Sequence, residues 1–292
     1  MPDSTPAGLV LVDKPAGISS FAAISRLRLP YGKKLGHAGT LDPFATGLLL
    51  VLTGRATRLA SYLVGADKTY EATIQFGARS TTEDPEGEIT ASGQRTSEQS
   101  VLDALPALTG ESEQIPPAAS AIHIDGERAY RRFRRGETVT VPPRRVTVHA
   151  FTLMHFDSDI QEAAVVVRCG SGTYIRSLAR DLGELVGTGA YLTQLRRTEV
   201  GAFSVADAAD PDLISAAPAG TCCWLPAGAA VAGLQQRRMT AEERAVVGHG
   251  GKIAVDPSWV DDVALLDETG ALIAVAAAEA GVAAPKIVLV PA

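Results

Sequence analysis

Cysteine is scarce in this sequence of 292 residues, which holds three: Cys169, Cys222 and Cys223. An odd number at no metal-ligand spacing argues against a disulfide scaffold and against a zinc module. The longest strongly apolar run, residues 48–52, falls far short of the roughly 20 residues that a membrane helix needs. The N-terminal segment carries Asp3 and Asp13 but lacks the basic stretch of a signal peptide. We therefore expect a reduced, cytoplasmic protein without membrane association.

The composition excludes a mostly disordered chain. Apolar residues make up 46% of the sequence and charged residues 21%, which is enough to bury a sizeable core. The length accommodates a main domain and a small second one.

The net charge of −6 conceals an uneven distribution. Residues 128–145 hold seven arginines and one acid, Glu137, whereas residues 239–292 hold eight acids and three basic residues. Arginine suits bidentate phosphate contact, so the basic segment is a candidate nucleic-acid contact in an otherwise acidic chain. A solvated helix face is an equally good interpretation of the arginine run taken alone.

Strand and helix patterns do not alternate strictly along the chain. Period-two and continuous apolar patterns predict strands, and period-3.6 patterns predict helices. The predicted strands cover residues 8–12, 48–52, 68–76, 146–154, 163–169, 263–266, 272–275 and 287–290. The predicted helices cover residues 20–28, 54–64, 99–108, 127–135, 173–186 and 241–247. Residues 35–47 and 78–96 are predicted loops and residues 216–233 a linker. This order favours a mixed α+β sheet.

One loop carries a candidate catalytic group. Residues 36–47 read GHAGTLDPFATG and precede an apolar strand. Asp42 stands between an apolar residue and Pro43, which restricts its backbone, and a carboxylate held in a rigid loop is a candidate nucleophile or base. From these residues alone, an Asx-turn is a slightly better interpretation of Asp42, and His37 fits a structural hydrogen bonder better than a catalyst.

The same loop resembles the catalytic motif of the TruB family of pseudouridine synthases, whose pattern is close to G-H/R-x-G-T/A-L-D-P-x-A-T-G. Further segments resemble family motifs in the family's order: DKPAGISS (13–20), GRATR (54–58), KTY (68–70), GTYIRSL (172–178) and LRR (195–197). The likeness spans most of residues 8–205. One departure is Ala119, which stands where the family often has tyrosine in P-x-x-Y-S-A.

The resemblance implies a fold and a domain plan. It implies a pseudouridine-synthase-like α+β fold, with a mixed, largely antiparallel sheet flanked by helices and a small, mostly-β PUA-like C-terminal domain. The catalytic domain is expected over residues 1–220, with an RNA-clamping insertion at about 120–145, and the PUA-like domain over residues 230–292.

It also implies a reaction, the isomerisation of the T-loop uridine at tRNA position 55 to pseudouridine, without cofactor or metal. A stacked uracil must be flipped out and then needs an aromatic platform. The implied roles are as follows in chain order: His37 contacts substrate, Asp42 is the nucleophile, Tyr70 is platform and proton acceptor, Arg131, Arg132, Arg134 and Arg135 bind RNA, Tyr174 and Leu195 line the pocket, and Arg176 pairs with Asp42. Core packing explains Tyr174 and Leu195 equally simply and, without the motif, explains Tyr70 better. Arg176 also fits a helix-face charge paired with Asp181 or Glu184.

Three other functions stay open at this point. They are a sibling synthase guided by RNA to other substrates, a non-catalytic RNA-binding or tRNA-folding module, and a nucleosidase or glycosidase that uses Asp42. Long lysine-rich extensions, typical of the first, are missing from the sequence, and the complete Asp42 motif argues against the second. The arginine-rich segment argues against the third. The expected partner is tRNA, with no obligate protein partner.

Overall fold

A long mixed sheet forms the centre of the molecule. The computed structural model describes residues 6–120, 122–124 and 126–290. Asp3, part of the segment inspected for a signal peptide, and positions 121 and 125 of the expected insertion lie outside these residues. Through the first three quarters of the chain the strands are β1 (Gly8–Lys14), β2 (Leu35–Ala38), β3 (Thr46–Thr53), β4 (Lys68–Phe76), β5 (Ala78–Ser80), β6 (Ile89–Ala91), β7 (Gly110–Gln114), β8 (His123–Ile124), β9 (Glu127–Arg128), β10 (Arg144–Asp157), β11 (Glu162–Cys169), β12 (Ala190–Val200), β13 (Phe203–Ser204) and β14 (Trp224–Pro226).

The main sheet runs in the order β14-β1-β3-β12-β4-β11-β10-β7, with β2 also paired to β3 and β13 to β12. All of these pairs are antiparallel except β3 with β12. The parallel contact is short and joins Thr46 to Arg196 and Gly47 to Arg197. The antiparallel pattern is therefore interrupted at the centre of the sheet, where the first residues of β3 lie beside β12.

Several helices pack on one face of this sheet. The α-helices are α1 (Ser20–Arg26), α2 (Arg28–Tyr31), α3 (Ala60–Val64), α4 (Glu98–Ala104), α5 (Ala129–Arg134), α6 (Ile175–Leu185), α7 (Pro211–Ala216) and α8 (Ala241–Gly248), and short 3₁₀ turns span Gly54–Leu59, Leu105–Leu108, Val205–Asp207 and Ala227–Val231. Ser19 caps α1 by accepting a hydrogen bond from the Ala22 amide, as a serine before an apolar-periodic segment predicts. Ile24, Val101 and Leu182 pack from α1, α4 and α6 onto the same buried cluster.

A second sheet lies at the C-terminal end of the chain. It contains β15 (Gln235–Arg238), β16 (Ile253–Ala254), β17 (Asp261–Leu266), β18 (Leu272–Glu279) and β19 (Val282–Val288), in the order β15-β17-β18-β19-β16. The predicted hairpin is β17–β18, turning at residues 267–270. This small, mostly-β unit beside a mixed sheet confirms the expected α+β class and is consistent with a PUA-like domain.

Alternate side chains of β1 and β3 pack into two separate hydrophobic cores. Val10 and Val51 join the helix-covered cluster, whereas Leu9 and Leu50 join a second cluster that includes Leu266 of the C-terminal sheet. Both faces of these strands are thus covered, which is why residues 48–52 form a continuous apolar run. The two sheets share this second core, so the C-terminal sheet is packed on the main sheet rather than tethered to it.

Three segments predicted as loops or a linker contain strands. The predicted loop at 35–47 begins with β2, the loop at 78–96 contains the β5–β6 hairpin, and the linker at 216–233 contains β14, which pairs with β1. No strand was predicted at β12, the central strand, because its sequence AYLTQLRRTEV contains too many polar residues to resemble a buried strand. In each case the partner strand, rather than local pattern, makes the element.

Candidate active site

The Asp42 loop, residues 39–45 between β2 and β3, is anchored from two sides. Arg197 is 1% exposed, and its guanidinium donates hydrogen bonds to the carbonyl oxygens of Leu48 (2.8 Å) and Gly39 (3.0 Å). At Gly47 the backbone φ is +101°, and a Cβ would lie 2.2 Å from the Arg197 carbonyl oxygen, so only glycine fits here. The close approach of the β3 backbone to β12 thus requires glycine at position 47.

The other anchor comes from the N-terminal segment. Ser20 Oγ donates to the Leu41 carbonyl (2.9 Å) and accepts from the Leu41 amide (2.8 Å), and the Lys14 ammonium donates to the Pro43 carbonyl (3.2 Å). Burial lowers the pKa of Lys14 to about 8, and the Asp42 charge opposes this shift. The residues on both sides of Asp42 are therefore held by buried hydrogen bonds.

A cavity of about 490 Å³ opens beside this loop. Its lining includes Asp42, Tyr70, Tyr174, Arg176 and Leu195. These five residues come from a loop, from β4, from the segment before α6, from α6 itself and from β12, and they meet at the centre of the main sheet. A cavity of this volume falls within the range of small-ligand sites.

Asp42 forms an ion pair with Arg176. The Arg176 Nε lies 3.0 Å from Asp42 Oδ2, while Nη1 lies 3.0 Å from Asp84 Oδ2 and donates to the Thr82 carbonyl (2.9 Å). Arg176 is 3% exposed, so the sequence-based alternative of an exposed helix charge paired with Asp181 or Glu184 is wrong. Those two acids pair with Arg180 and Arg79 instead.

Burial and the neighbouring charges act on Asp42 in opposite directions. Burial raises its pKa, the Arg176 guanidinium lowers it, and the Asp84 carboxylate raises it again; the result is a pKa above the usual value of an aspartate. Because Arg176 is shared with Asp84, it does not fully offset the burial of Asp42. Asp42 is about a third exposed on the cavity side and can reach a ligand there.

Tyr70 lies on the floor of the cavity and is 8% exposed. Burial raises the pKa of its hydroxyl, and the nearby Arg197 opposes the rise. Tyr174 lies across the cavity, with the Arg144 guanidinium 6.0 Å from its ring centroid. Leu195 adds an apolar wall. Tyr70 and Leu195 also belong to the helix-covered core, so each serves the packing and the cavity together.

His37 lies in β2, opposite Val51, and outside the lining of the cavity as the described residues form it. Its Nδ1 is buried without a hydrogen-bond partner among those residues. Burial lowers its pKa, Arg197 lowers it further, and the Gly39 backbone opposes both. A neutral imidazole at the edge of the loop is the state that these contacts favour.

The four candidate RNA-binding arginines lie on or just after α5, and the helix is shorter than predicted. Arg132 pairs with Glu137 (3.0 Å), and Arg135 pairs with both Glu127 (2.6 Å) and Glu137 (2.7 Å). Arg131 and Arg134 instead contact Tyr130, through its hydroxyl and its ring face. The helix charges are therefore partly compensated by local acids.

Sequence reasoning assigned no role to Arg197 or Asp84. Arg197 belongs to the LRR segment. The feature that could have identified it is a charged side chain within the central strand of the sheet, where a charge must be buried against partners. Asp84 lies in the β5–β6 hairpin, which looked like a polar loop, and nothing local marks it as a partner of Arg176.

The described residues hold no group of three or more His, Cys, Asp or Glu side chains placed to bind a metal, and no described helix is long and apolar enough to cross a membrane.

Comparisons with known proteins identify the family of this chain. Residues 28–175 match the family model "TruB family pseudouridylate synthase (N terminal domain)", and residues 176–217 match "tRNA pseudouridylate synthase B C-terminal domain". The tRNA pseudouridine synthase B of Thermobifida fusca (strain YX) is 44% identical over 292 residues, which cover 96% of this chain and 98% of that protein. The protein of the same name from Leifsonia xyli subsp. xyli (strain CTCB07) is 45% identical over 256 residues, covering 85% and 83%.

A solved structure supports the fold. One chain of a Cbf5–Nop10–Gar1 complex superposes with a TM-score of 0.74 at 23% identity, covering 97% of this chain and 85% of that one. The coverage includes the C-terminal sheet as well as the main sheet.

Proposed function

The chain belongs to the TruB family of pseudouridylate synthases and is therefore an isomerase, and we propose that its substrate is tRNA, in which it converts the T-loop uridine at position 55 to pseudouridine. The observation that carries this proposal is the ion pair between Asp42 and Arg176 inside a cavity lined by Tyr70. The names of the relatives, all tRNA pseudouridine synthases B, support the substrate class.

Asp42 is the nucleophile of this reaction. Isomerisation breaks the C1′–N1 glycosidic bond, turns the uracil, and rejoins it to the sugar through C5, so no atom is gained or lost. A carboxylate oxygen can carry this chemistry as it does in retaining glycosidases. Arg176 keeps the carboxylate oriented toward the cavity, and the hydrogen bonds to Leu41 and Pro43 limit movement of the loop.

Tyr70 and Tyr174 receive the flipped base. A uracil leaves the RNA stack at a cost of a few kcal/mol, and stacking on an aromatic ring returns about 1–3 kcal/mol per base. Tyr70 lies in the cavity with its pKa raised, so its hydroxyl stays protonated at neutral pH. It accepts the C5 proton only if another group first takes its own, which makes stacking its principal role. Leu195 closes the cavity, and His37 contacts the RNA beside the loop from outside the cavity.

The proposed division of labour along the chain follows the two sheets except at β14, which belongs to the main sheet but lies beyond residue 220. Residues 1–220 form the catalytic domain, residues 120–145 its RNA-clamping insertion with Arg131, Arg132, Arg134 and Arg135, and residues 230–292 the PUA-like domain. We propose that the protein works in the cytoplasm without an obligate protein partner.

The test is incubation of the purified protein with an unmodified tRNA transcript, followed by mapping of pseudouridine at nucleotide resolution. The expected product has one pseudouridine, in the T loop at position 55. Product at another position would refute the assigned site, and binding without any product would favour a non-catalytic tRNA-folding module.

A further inference from the structure

The cavity is much more cationic than the chain as a whole. In a protein of net charge −6, its lining contains one acid, Asp42, and a set of cationic side chains, namely Lys68, Arg144, Arg145, Arg176 and Arg197. Such an excess attracts an anionic ligand.

Three of these cations are already engaged by the protein. Lys68 donates to the carbonyl oxygens of Val64 and Ala66. Arg176 contacts two carboxylates, and Arg197 holds the backbone of the Asp42 loop. All three are less than 8% exposed and hold the walls of the cavity together.

Arg144 and Arg145, the first two residues of β10, are different. Both are exposed, and among the described residues neither side chain donates a hydrogen bond or lies within ion-pair distance of a carboxylate, although both backbones pair with β7. Arg144 lies against the Tyr174 ring at 6.0 Å and against Gly172, where a Cβ would meet the guanidinium carbon at 3.6 Å. Stacking on an aromatic ring orients a guanidinium and leaves its N–H edge available.

This arrangement contrasts with that of the helix arginines. Arg132 and Arg135 belong to the same basic run, but Glu127 and Glu137 lie within ion-pair distance of them. Uncompensated positive charge in this run therefore lies at the mouth of the cavity as well as on the exposed helix. A nucleotide whose base occupies the cavity must leave its phosphates at that mouth.

We propose that Arg144 and Arg145 form a phosphate subsite that holds a phosphodiester flanking the nucleotide whose base enters the cavity. The inference rests on the proposed function, since it takes the bound ligand to be RNA. A guanidinium matches a phosphate with two parallel hydrogen bonds, so the subsite sets the position of the backbone relative to Asp42. Arg144 and Arg145 are positioning residues in this proposal.

The experiment pairs enzyme variants with altered RNA. The substrate is a T-arm hairpin in which either phosphate flanking the target uridine is replaced by a neutral methylphosphonate, and the readout is the single-turnover kcat/KM of the full-length protein. We expect one neutral linkage to lower the wild-type value by about tenfold, the scale of a lost charge-assisted contact. In the R144A/R145A variant the same linkage should cost less than about twofold.

A control variant, R26A/R238A, removes the same net charge away from the cavity. Arg26 pairs with Asp212, and Arg238 donates to the Glu268 carbonyl. The control variant should still lose about tenfold in kcat/KM when one linkage is neutral. In hairpin binding, R144A/R145A should also reduce the log–log salt slope by about 0.7–0.9, the coefficient for the one phosphate that the subsite holds, whereas the control should reduce it by less than about 0.5.

The outcomes separate the two proposals. If the wild type does not isomerise the all-phosphate hairpin or intact tRNA, the proposed function fails. If the wild type is active but R144A/R145A, folded by circular dichroism, retains the full penalty at both neutral linkages, the phosphate subsite is refuted. The phosphate subsite is also refuted if neither neutral linkage lowers the kcat/KM of the wild type.

Discussion

Arg176 forms a 3.0 Å ion pair with Asp42 through Nε, and the opposite edge of the same guanidinium lies 3.0 Å from Asp84. The buried cation is thus shared between two carboxylates, one facing the cavity and one facing the protein. This sharing fixes the plane of the guanidinium. Burial, together with the Asp84 charge, outweighs the effect of Arg176 and raises the pKa of Asp42. The predictions below start from this arrangement.

Asp42→Asn should abolish isomerisation and leave tRNA affinity within a few-fold of wild type, because the amide keeps the shape of the side chain but loses the nucleophilic oxygen. Single-turnover pseudouridine formation and a parallel binding titration measure the two quantities. Turnover at a tenth of the wild-type rate or more would remove Asp42 from the essential role.

Asp84→Asn should shift the acidic limb of the pH–rate profile to lower pH. Asp42 is active when ionised and its pKa is raised, so activity is lost on acidification at a higher pH than for an ordinary aspartate. Removing the Asp84 charge removes one cause of that rise and leaves Arg176 more fully to Asp42, and both effects lower the pKa. Asp181→Asn, which alters an acid that pairs with Arg180, is the control and should leave the limb in place. If the acidic limb of Asp84→Asn stays at the wild-type pH or moves to higher pH, this account is contradicted.

Tyr70→Phe and Tyr70→Leu distinguish two roles of one residue. If Tyr70 acts by stacking, the phenylalanine variant should isomerise at a rate close to wild type and the leucine variant should lose about 1–3 kcal/mol, or roughly 5- to 150-fold, in kcat/KM. A strong loss in Tyr70→Phe would instead assign proton transfer to the hydroxyl. Wild-type kinetics in Tyr70→Leu would show that the residue only packs the core.

Ser20→Ala should destabilise the protein by about 1–3 kcal/mol, because it leaves the buried amide and carbonyl of Leu41 without partners. Since Leu41 precedes Asp42, kcat should fall more than substrate affinity. Ser25→Ala, in the same helix, removes a hydrogen bond to the Phe21 carbonyl at a more exposed position and serves as the control. Denaturant unfolding and steady-state kinetics test both; equal effects of the two variants would show that the Leu41 anchor has no special importance.

The helix arginines should contribute unequally to RNA binding. Replacing Arg131 and Arg134, which contact Tyr130, should reduce the salt slope of tRNA binding by about 1.4–1.8. Replacing Arg132 and Arg135 should reduce it by less than about 1, because Glu127 and Glu137 compete with phosphate for them. The titration is run against salt for both double variants, and an equal reduction would mean that these acids release their arginines when RNA binds.

Local sequence was sufficient for several features. The serine cap of α1, the period-two pattern of β4 and the turn between β17 and β18 follow from interactions among neighbouring residues, and all three are present in the structure. The Asp42 loop was recognisable as a catalytic motif only through its resemblance to the TruB family, since its residues alone slightly favoured an Asx-turn. The resemblance to the TruB family, carried by motifs of the same kind, is confirmed by the family models.

The tertiary structure decided what the local pattern could not. The strand β12 contains Arg196 and Arg197, yet Arg197 is fully buried because carbonyl groups of another strand and of the Asp42 loop accept its hydrogen bonds. Asp84 meets Arg176 across 92 residues of chain. The sequence determines the type of each side chain and its nearest neighbours, whereas the burial of a charge depends on partners brought together by the sheet, and these are set by folding of the whole chain.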